Sequence, residues 1–140
     1  PYGGYDNSDR QITYRGLEFA YDFELFEKAK TRLNYVFTDT IYGDLRSIPK
    51  HSISGLIDIP ITVKTYLSLI GQFTGNRIAN DFTELDPYSL FTLQINYQLE
   101  KLNTNLFFSI FNIFDTQYVI IPQYQTRGRN IMMGLTVNLF

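Results

Sequence analysis

Residues able to do chemistry are few in this chain, and they are spread thinly. Asp22, Glu24, Lys30 and Arg32 flank the Phe26-Glu27 step at two-residue spacing. If that step is a tight turn, the four are neighbours across a hairpin. Paired carboxylates can share acid and base work when their surroundings differ, but nothing nearby supplies a difference, and a ladder of ion pairs explains the same residues. His51 is the single histidine and cysteine is absent, so a metal or haem held by His51 has no second nitrogen or sulfur ligand. A structural histidine at a strand start is the plainer reading. Asp81, Glu84 and Asp86 lie together in a polar stretch, but their spacing is not that of a calcium loop, and a solvated loop accounts for them. Tyr118, Tyr124, Arg127 and Arg129 would suit an anionic ligand at an exposed rim, and strand ends use the same residue types. Gly3-Gly4 and Gly128 do not make a phosphate cradle. No nucleophile stands with a base and an acid. The reading is therefore a protein that is not an enzyme, with no cofactor and no metal site.

The elements that carry these residues are bounded by composition. The chain has 140 residues, about one domain's worth. Twelve basic against fourteen acidic residues give a net charge of −2, which offers no electrostatic grip on nucleic acid. Without cysteine there is no disulfide, no thiolate catalysis and no sulfur-based zinc site. Mean hydropathy is −0.14. Strictly apolar runs such as Tyr118–Ile121 are far shorter than the roughly 20 residues a membrane helix needs. Barrel strands alternate and escape such a scan. Eleven tyrosines and twelve phenylalanines accompany no tryptophan. The first residue is Pro1, with no targeting signal, so a processed chain or a piece of a longer one is expected.

Period two governs the sequence. In Tyr88–Leu99, Phe91, Leu93, Ile95, Tyr97 and Leu99 share a face opposite Thr92, Gln94, Asn96 and Gln98. In 129–140, Ile131, Met133, Leu135, Val137 and Leu139 oppose Asn130, Met132, Gly134, Thr136 and Asn138. Residues 11–25, 28–38, 51–59 and 61–74 alternate likewise, while 103–114 is partly apolar on both faces, leaving its facing ambiguous. These segments predict an all-β fold, an antiparallel meander of about seven long strands. Most span about 9 to 14 residues, against about 5 to 6 for an ordinary globular strand.

The predicted connections alternate strictly. Tight ones fall near Phe26-Glu27, Ile59-Pro60-Ile61 and Glu100-Lys101-Leu102, and long ones at 39–50, 75–87 and 115–127. In a meander this puts every tight turn at one end and every long loop at the other, as in transmembrane barrels. A soluble β-sandwich or lipocalin-like binding module would fold the apolar face inward. A membrane barrel would turn it to lipid and keep the polar row for the lumen. Strand length, loop asymmetry and aromatic content favour the barrel. On that reading Phe91, Leu93, Ile95, Tyr97, Leu135 and Val137 face lipid, and Glu18, Asp22, Arg32, Gln94 and Asn96 face the lumen. Two bare edges are not tolerated in lipid, so residues 1–140 read as a single segment of a larger transmembrane β-barrel.

Several short motifs sharpen this. Asn112-Ile113-Phe114-Asp115 followed by Tyr118 resembles the end of the penultimate strand of TonB-dependent outer-membrane receptors. Gly128-Arg129-Asn130, leading through Gly134-Leu135 to Phe140, resembles their last strand. Arg15-Gly16-Leu17-Glu18, Leu33–Asp39 and Ile48-Pro49-Lys50-His51 resemble earlier strand openings and endings, and the five matches run in family order. Phe140 departs from the pattern by falling one step off the alternation of Leu135, Val137 and Leu139.

The resemblance implies the C-terminal portion of a barrel of about 22 strands, in the outer membrane of a Gram-negative bacterium, without the family's plug domain. It implies energy-coupled uptake of a scarce nutrient such as an iron-siderophore, haem, cobalamin or a glycan. The implied partners are outer-membrane lipid, the remaining strands and plug of the same receptor, the TonB energy-transducing system acting through the N-terminal parts, and an extracellular ligand. Ligand-binding residues are not assigned by it. A structural outer-membrane barrel without transport stands as the other membrane reading.

Overall fold

The structure, a computed structural model, describes residues 13–26, 28–41 and 47–138. The expectations about Gly3-Gly4, Leu139 and Phe140, and parts of the first tight turn and first long loop, lie outside the described residues. Nine strands occur in chain order: β1 (Tyr14–Leu25), β2 (Ala29–Thr40), β3 (His51–Thr62), β4 (Thr65–Thr74), β5 (Arg77–Ile78), β6 (Glu84–Leu85), β7 (Tyr88–Leu99), β8 (Thr104–Phe111) and β9 (Asn130–Val137). Seven of them form one antiparallel sheet in the order β1-β2-β3-β4-β7-β8-β9. The short β5–β6 hairpin is separate and sits within the connection from β4 to β7.

The ladder shows how the alternation is used. Residues paired across antiparallel strands share a face. Phe19 pairs Tyr35, Tyr35 pairs Ile53, Ile53 pairs Phe73, Leu69 pairs Leu93, Leu93 pairs Ile110 and Ile110 pairs Ile131. A single apolar face thus crosses all seven strands. Phe91, Leu93, Ile95, Tyr97, Leu135 and Val137 all lie on it, while Glu18, Asp22, Arg32, Gln94 and Asn96 lie on the other. The ambiguous segment is settled as well, because Leu106, Phe108 and Ile110 of β8 join the apolar face and Phe107 takes the polar one.

Nothing covers that apolar face among the described residues. Leu17 is 63% exposed, Leu135 62% and Met133 80%, and the buried apolar side chains are only Ala29, Ala79 and Leu85. The sandwich expectation is overturned, since a sandwich needs a second layer about 10 Å away to seal its core. Alternation reports which side chains share a face, but not what that face meets.

Three boundaries differ from expectation. β3 runs on through Pro60, which pairs with Tyr66 beside a register shift between Pro60 and Thr62. A residue without an N–H fits such an irregularity, so the tight turn falls at Val63-Lys64. There Thr62 Oγ1 accepts the Lys64 N–H at 3.1 Å. β2 extends to Thr40, and β8 stops at Phe111 where Asn112 takes a left-handed backbone (φ 50°). The length asymmetry holds: Lys64 Nζ and Glu100 Oε2 join two neighbouring tight turns at 3.0 Å, and the long loops all leave the opposite end.

Phe107 is a bulky ring on the polar face, and it lies over Gly134 of β9. A Cβ on Gly134 would meet Phe107 Cζ at 2.7 Å and Cε1 at 2.8 Å. Gly134→Val is expected to destabilise the sheet by about 1–3 kcal/mol, read as a lower midpoint in urea unfolding, and Phe107→Ala in the same chain should recover most of the loss. An unchanged midpoint in the single variant would show that the ring swings aside freely.

Candidate functional site

Two constructions place the chemistry-bearing residues, one on the polar face and one at the long-loop end. On the polar face a single transverse row runs from β1 to β8, with Glu24 paired to Lys30, Lys30 to Asp58, Asp58 to Ser68, Ser68 to Gln94 and Gln94 to Ser109. Ser68 Oγ donates to Asp58 Oδ1 at 2.5 Å, Ser109 Oγ donates to Gln94 Oε1 at 3.1 Å, and Gln94 Nε2 donates to Asn96 Oδ1 at 2.9 Å. One step toward the loops, Arg32 grips Asp22 through two bonds of 2.7 and 3.1 Å. Of the expected hairpin neighbours, Asp22 and Arg32 form an ion pair, and Glu24 and Lys30 stand opposite each other in register. Two carboxylates of this polar wall are held across a strand, Asp22 by Arg32 and Asp58 by Ser68.

At the other end, the long loops build a cleft. Arg77, on β5, is almost fully buried. Its Nη2 donates to the Val119 carbonyl, 42 residues further on, and its guanidinium stands 5.1 Å from the centre of the Tyr88 ring. The Tyr88 and Tyr118 rings pack at 4.7 Å. A planar cation that stacks and donates at once suits this post, and it ties the 75–87 connection to the 112–129 loop. Between them opens a cleft of about 770 Å³. Tyr88 lies on the polar side of the sheet, in register with Thr74, so the cleft opens above the polar wall.

The ends of the last loop are clamped by motif residues. Asn112 Oδ1 accepts the Thr116 N–H at 2.9 Å and its Nδ2 donates to the Thr116 carbonyl at 3.0 Å. Asp115 Oδ1 accepts the Arg129 N–H at 2.7 Å. That carboxylate sits so close that a Cβ on Gly128 would lie 2.6 Å from it. The Asn-Ile-Phe-Asp and Gly-Arg-Asn steps are therefore two halves of one closure.

The remaining candidates divide between the cleft and positions away from it. His51 Nδ1 is hydrogen-bonded to the Tyr35 hydroxyl at 2.9 Å, and its ring packs 5.3 Å from Phe37 on the apolar face. Asp81 Oδ1 accepts the Thr83 N–H at 3.1 Å, closing a turn. Glu84 and Asp86 line the cleft with Tyr118 and Tyr124, whereas Arg129 serves the loop closure through its backbone. Among the described residues no three His, Asp or Glu side chains gather as a metal site. Sequence reasoning missed Arg77, Gln117 and Gln123. A two-residue strand is too short to show a period, and their proximity arises only when two loops meet.

Comparison with known proteins gives a consistent picture. A protein-family model described as "TonB dependent receptor-like, beta-barrel" matches residues 2–113. Among curated proteins, none matches the chain. Solved structures do. The ferric-catecholate import receptor Fiu from E. coli K12 superposes with a TM-score of 0.72 at 13% identity, over 89% of this chain and 20% of that one. The ferric enterobactin receptor PfeA from Pseudomonas aeruginosa, a mutant in complex with enterobactin, gives 0.70 at 19%, over 87% and 22%. FpvAI in its complex with pyocin S2 gives 0.69 at 16%, over 89% and 20%. The chain spans about a fifth of the length of these receptors, and at such identities the shared feature is the fold.

Because Arg77 bridges the two loops with a buried cation, Arg77→Ala should free them. Faster amide hydrogen exchange is expected across residues 117–126, with β7 and β8 unchanged. Equal exchange in both proteins would show that the tyrosine pair holds the loops without it.

Proposed function

Since the chain belongs to the TonB-dependent receptor β-barrel family, which sits in the Gram-negative outer membrane and comprises transporters rather than enzymes, we propose that it is the C-terminal wall of a larger barrel that imports a scarce nutrient. The observation that carries this is the apolar face running uninterrupted and uncovered across seven strands. In water such a face would aggregate; against lipid it is the favoured state. Strands β1, β2, β3 and β7 have 12 residues and β4 has 10, enough for the roughly 9–11 that a tilted strand needs to cross a bilayer, while β8 and β9 have 8.

In this arrangement the tight turns lie on the periplasmic side and the long loops outside. Phe91, Leu93, Ile95, Tyr97, Leu135 and Val137 meet lipid, and Glu18, Asp22, Arg32, Gln94 and Asn96 line the lumen. The free edges of β1 and β9 pair with the remaining strands of the same barrel, because lipid leaves no bare edge satisfied. A plug domain and the TonB energy-transducing system complete the machine, and an extracellular nutrient of the size class of an iron-siderophore, haem or cobalamin is the cargo. The row of charged and hydrogen-bonded polar side chains keeps the wall hydrated and rigid while the outer loops capture ligand.

The absence of cysteine makes single-cysteine labelling of this segment clean. In the full-length receptor in liposomes, Leu93→Cys is expected to react with a lipid-phase probe and Gln94→Cys with a water-soluble one, and the opposite pattern would refute the assignment of faces. Leu93→Arg should destabilise the barrel by about 2–4 kcal/mol in urea titration. Uptake lost on deleting the energy transducer supports transport; a receptor in place whose deletion alters no nutrient uptake is a structural barrel instead.

A further inference from the structure

We propose that the cleft between the β4–β7 connection and the 112–129 loop binds an uncharged, hydroxyl-rich ligand of the oligosaccharide class, rather than a multiply negative iron chelate. The inference rests on the transport reading above and narrows its cargo.

The lining decides the class. Glu84 and Asp86 contribute two carboxylates, Gln117, Gln123 and Gln125 three carboxamides, and Tyr88, Tyr118 and Tyr124 three phenol rings. No lysine or arginine is among the residues that line it. Arg77, which stacks on the lining Tyr88, is buried and donates through Nη2 to the Val119 carbonyl, while its Nη1 has no partner among the described residues. An anionic chelate lying against this lining would meet two carboxylates and no lysine or arginine, and Coulomb repulsion opposes that in a partly desolvated cleft. Recognition of anionic ligands ordinarily relies on arginine forks or lysine.

A sugar chain meets the opposite situation. Its hydroxyls both donate and accept. Carboxylates accept from them, and carboxamides do both at once. Its C–H faces are apolar and pack flat against aromatic rings, which Tyr118 and the 71%-exposed Tyr124 present with little conformational entropy to lose. The volume of about 770 Å³ lies within the roughly 300–1,000 Å³ of ordinary ligand sites.

The test uses the full-length receptor in detergent, with an immobilised array of uncharged oligosaccharides as one probe and ferric enterobactin as the other. Array members are expected to retain the receptor, and a Gln123→Ala, Tyr124→Ala double variant should weaken retention about tenfold or more while leaving barrel unfolding unchanged. Ferric enterobactin should bind the unaltered receptor weakly, and Glu84→Gln with Asp86→Asn should strengthen it. No retention by any array member, or tight chelate binding that the double variant weakens, would overturn the proposal. Failure here with the expected labelling at Leu93→Cys and Gln94→Cys, and with energy-dependent uptake intact, refutes the ligand class alone. Failure of the labelling pattern instead refutes the barrel reading beneath it.

Discussion

Hydrocarbon offers a backbone amide no hydrogen-bonding partner, and each group left unpaired there costs several kcal/mol. The organisation of this chain follows from that. Strands must pair on both sides, so the meander hydrogen-bonds each strand to the next in the order β1-β2-β3-β4-β7-β8-β9, with one register shift at Pro60. Side chains must divide into two populations, so apolar and polar residues alternate through most of every long strand. The usual association of burial with apolarity is turned around. Leu17, Met133 and Leu135 are widely exposed in the isolated segment, whereas Ser109 is fully buried and Ser68 and Asn112 nearly so. Ser68 and Ser109 are hydrogen-bonded to Asp58 and Gln94 on the polar face and Asn112 to the backbone of Thr116, so close neighbours replace water.

The ends of the strands carry a different burden from their middles. At the tight-turn end, Lys64–Glu100 and the Asn103–Asn138 bonds fasten neighbouring elements within a few residues. At the loop end the chain has to travel further, and it does so with side chains acting on backbone. Asn112 and Asp115 satisfy amides of their own loop, and Arg77 reaches across from another. Residues such as Asn112 and Asp115 tolerate the left-handed backbone they adopt there. A loop held this way can offer a shaped cleft without a hydrophobic core beneath it.

The short motifs that suggested the family turn out to be mechanical. Asp115 and Gly128 belong to different motifs thirteen residues apart, and the structure joins them because the carboxylate needs a neighbour without a side chain. Arg15 of the Arg-Gly-apolar-Glu step meets Asp39 of the aromatic Thr-Asp step at 2.7 Å, and Lys50 of the Pro-Lys-His step adds a second cation 3.7 Å from the same carboxylate. Motif spacing along a sequence thus records which strand ends must be fastened together.

Period two in the sequence was enough to establish the seven long strands, which side chains share a face in six of them, and the asymmetry of their connections, because one buried or lipid-facing side imposes alternation at every second residue. It was enough to pair Asp22 with Arg32 once a turn at Phe26 was assumed. It did not mark the turn after Thr62, since a proline that sits at a bulge reads locally like a proline in a turn. It did not resolve β8, where Phe107 occupies the polar face only because Gly134 on the next strand leaves room. It did not foretell that no second layer covers the apolar face, which alternation leaves open. Nor did it reveal the cleft, since Arg77, Tyr88 and Val119 are neighbours only after two loops fold together. Local period is written along the chain, whereas contacts between distant loops depend on distances that only the assembled sheet sets.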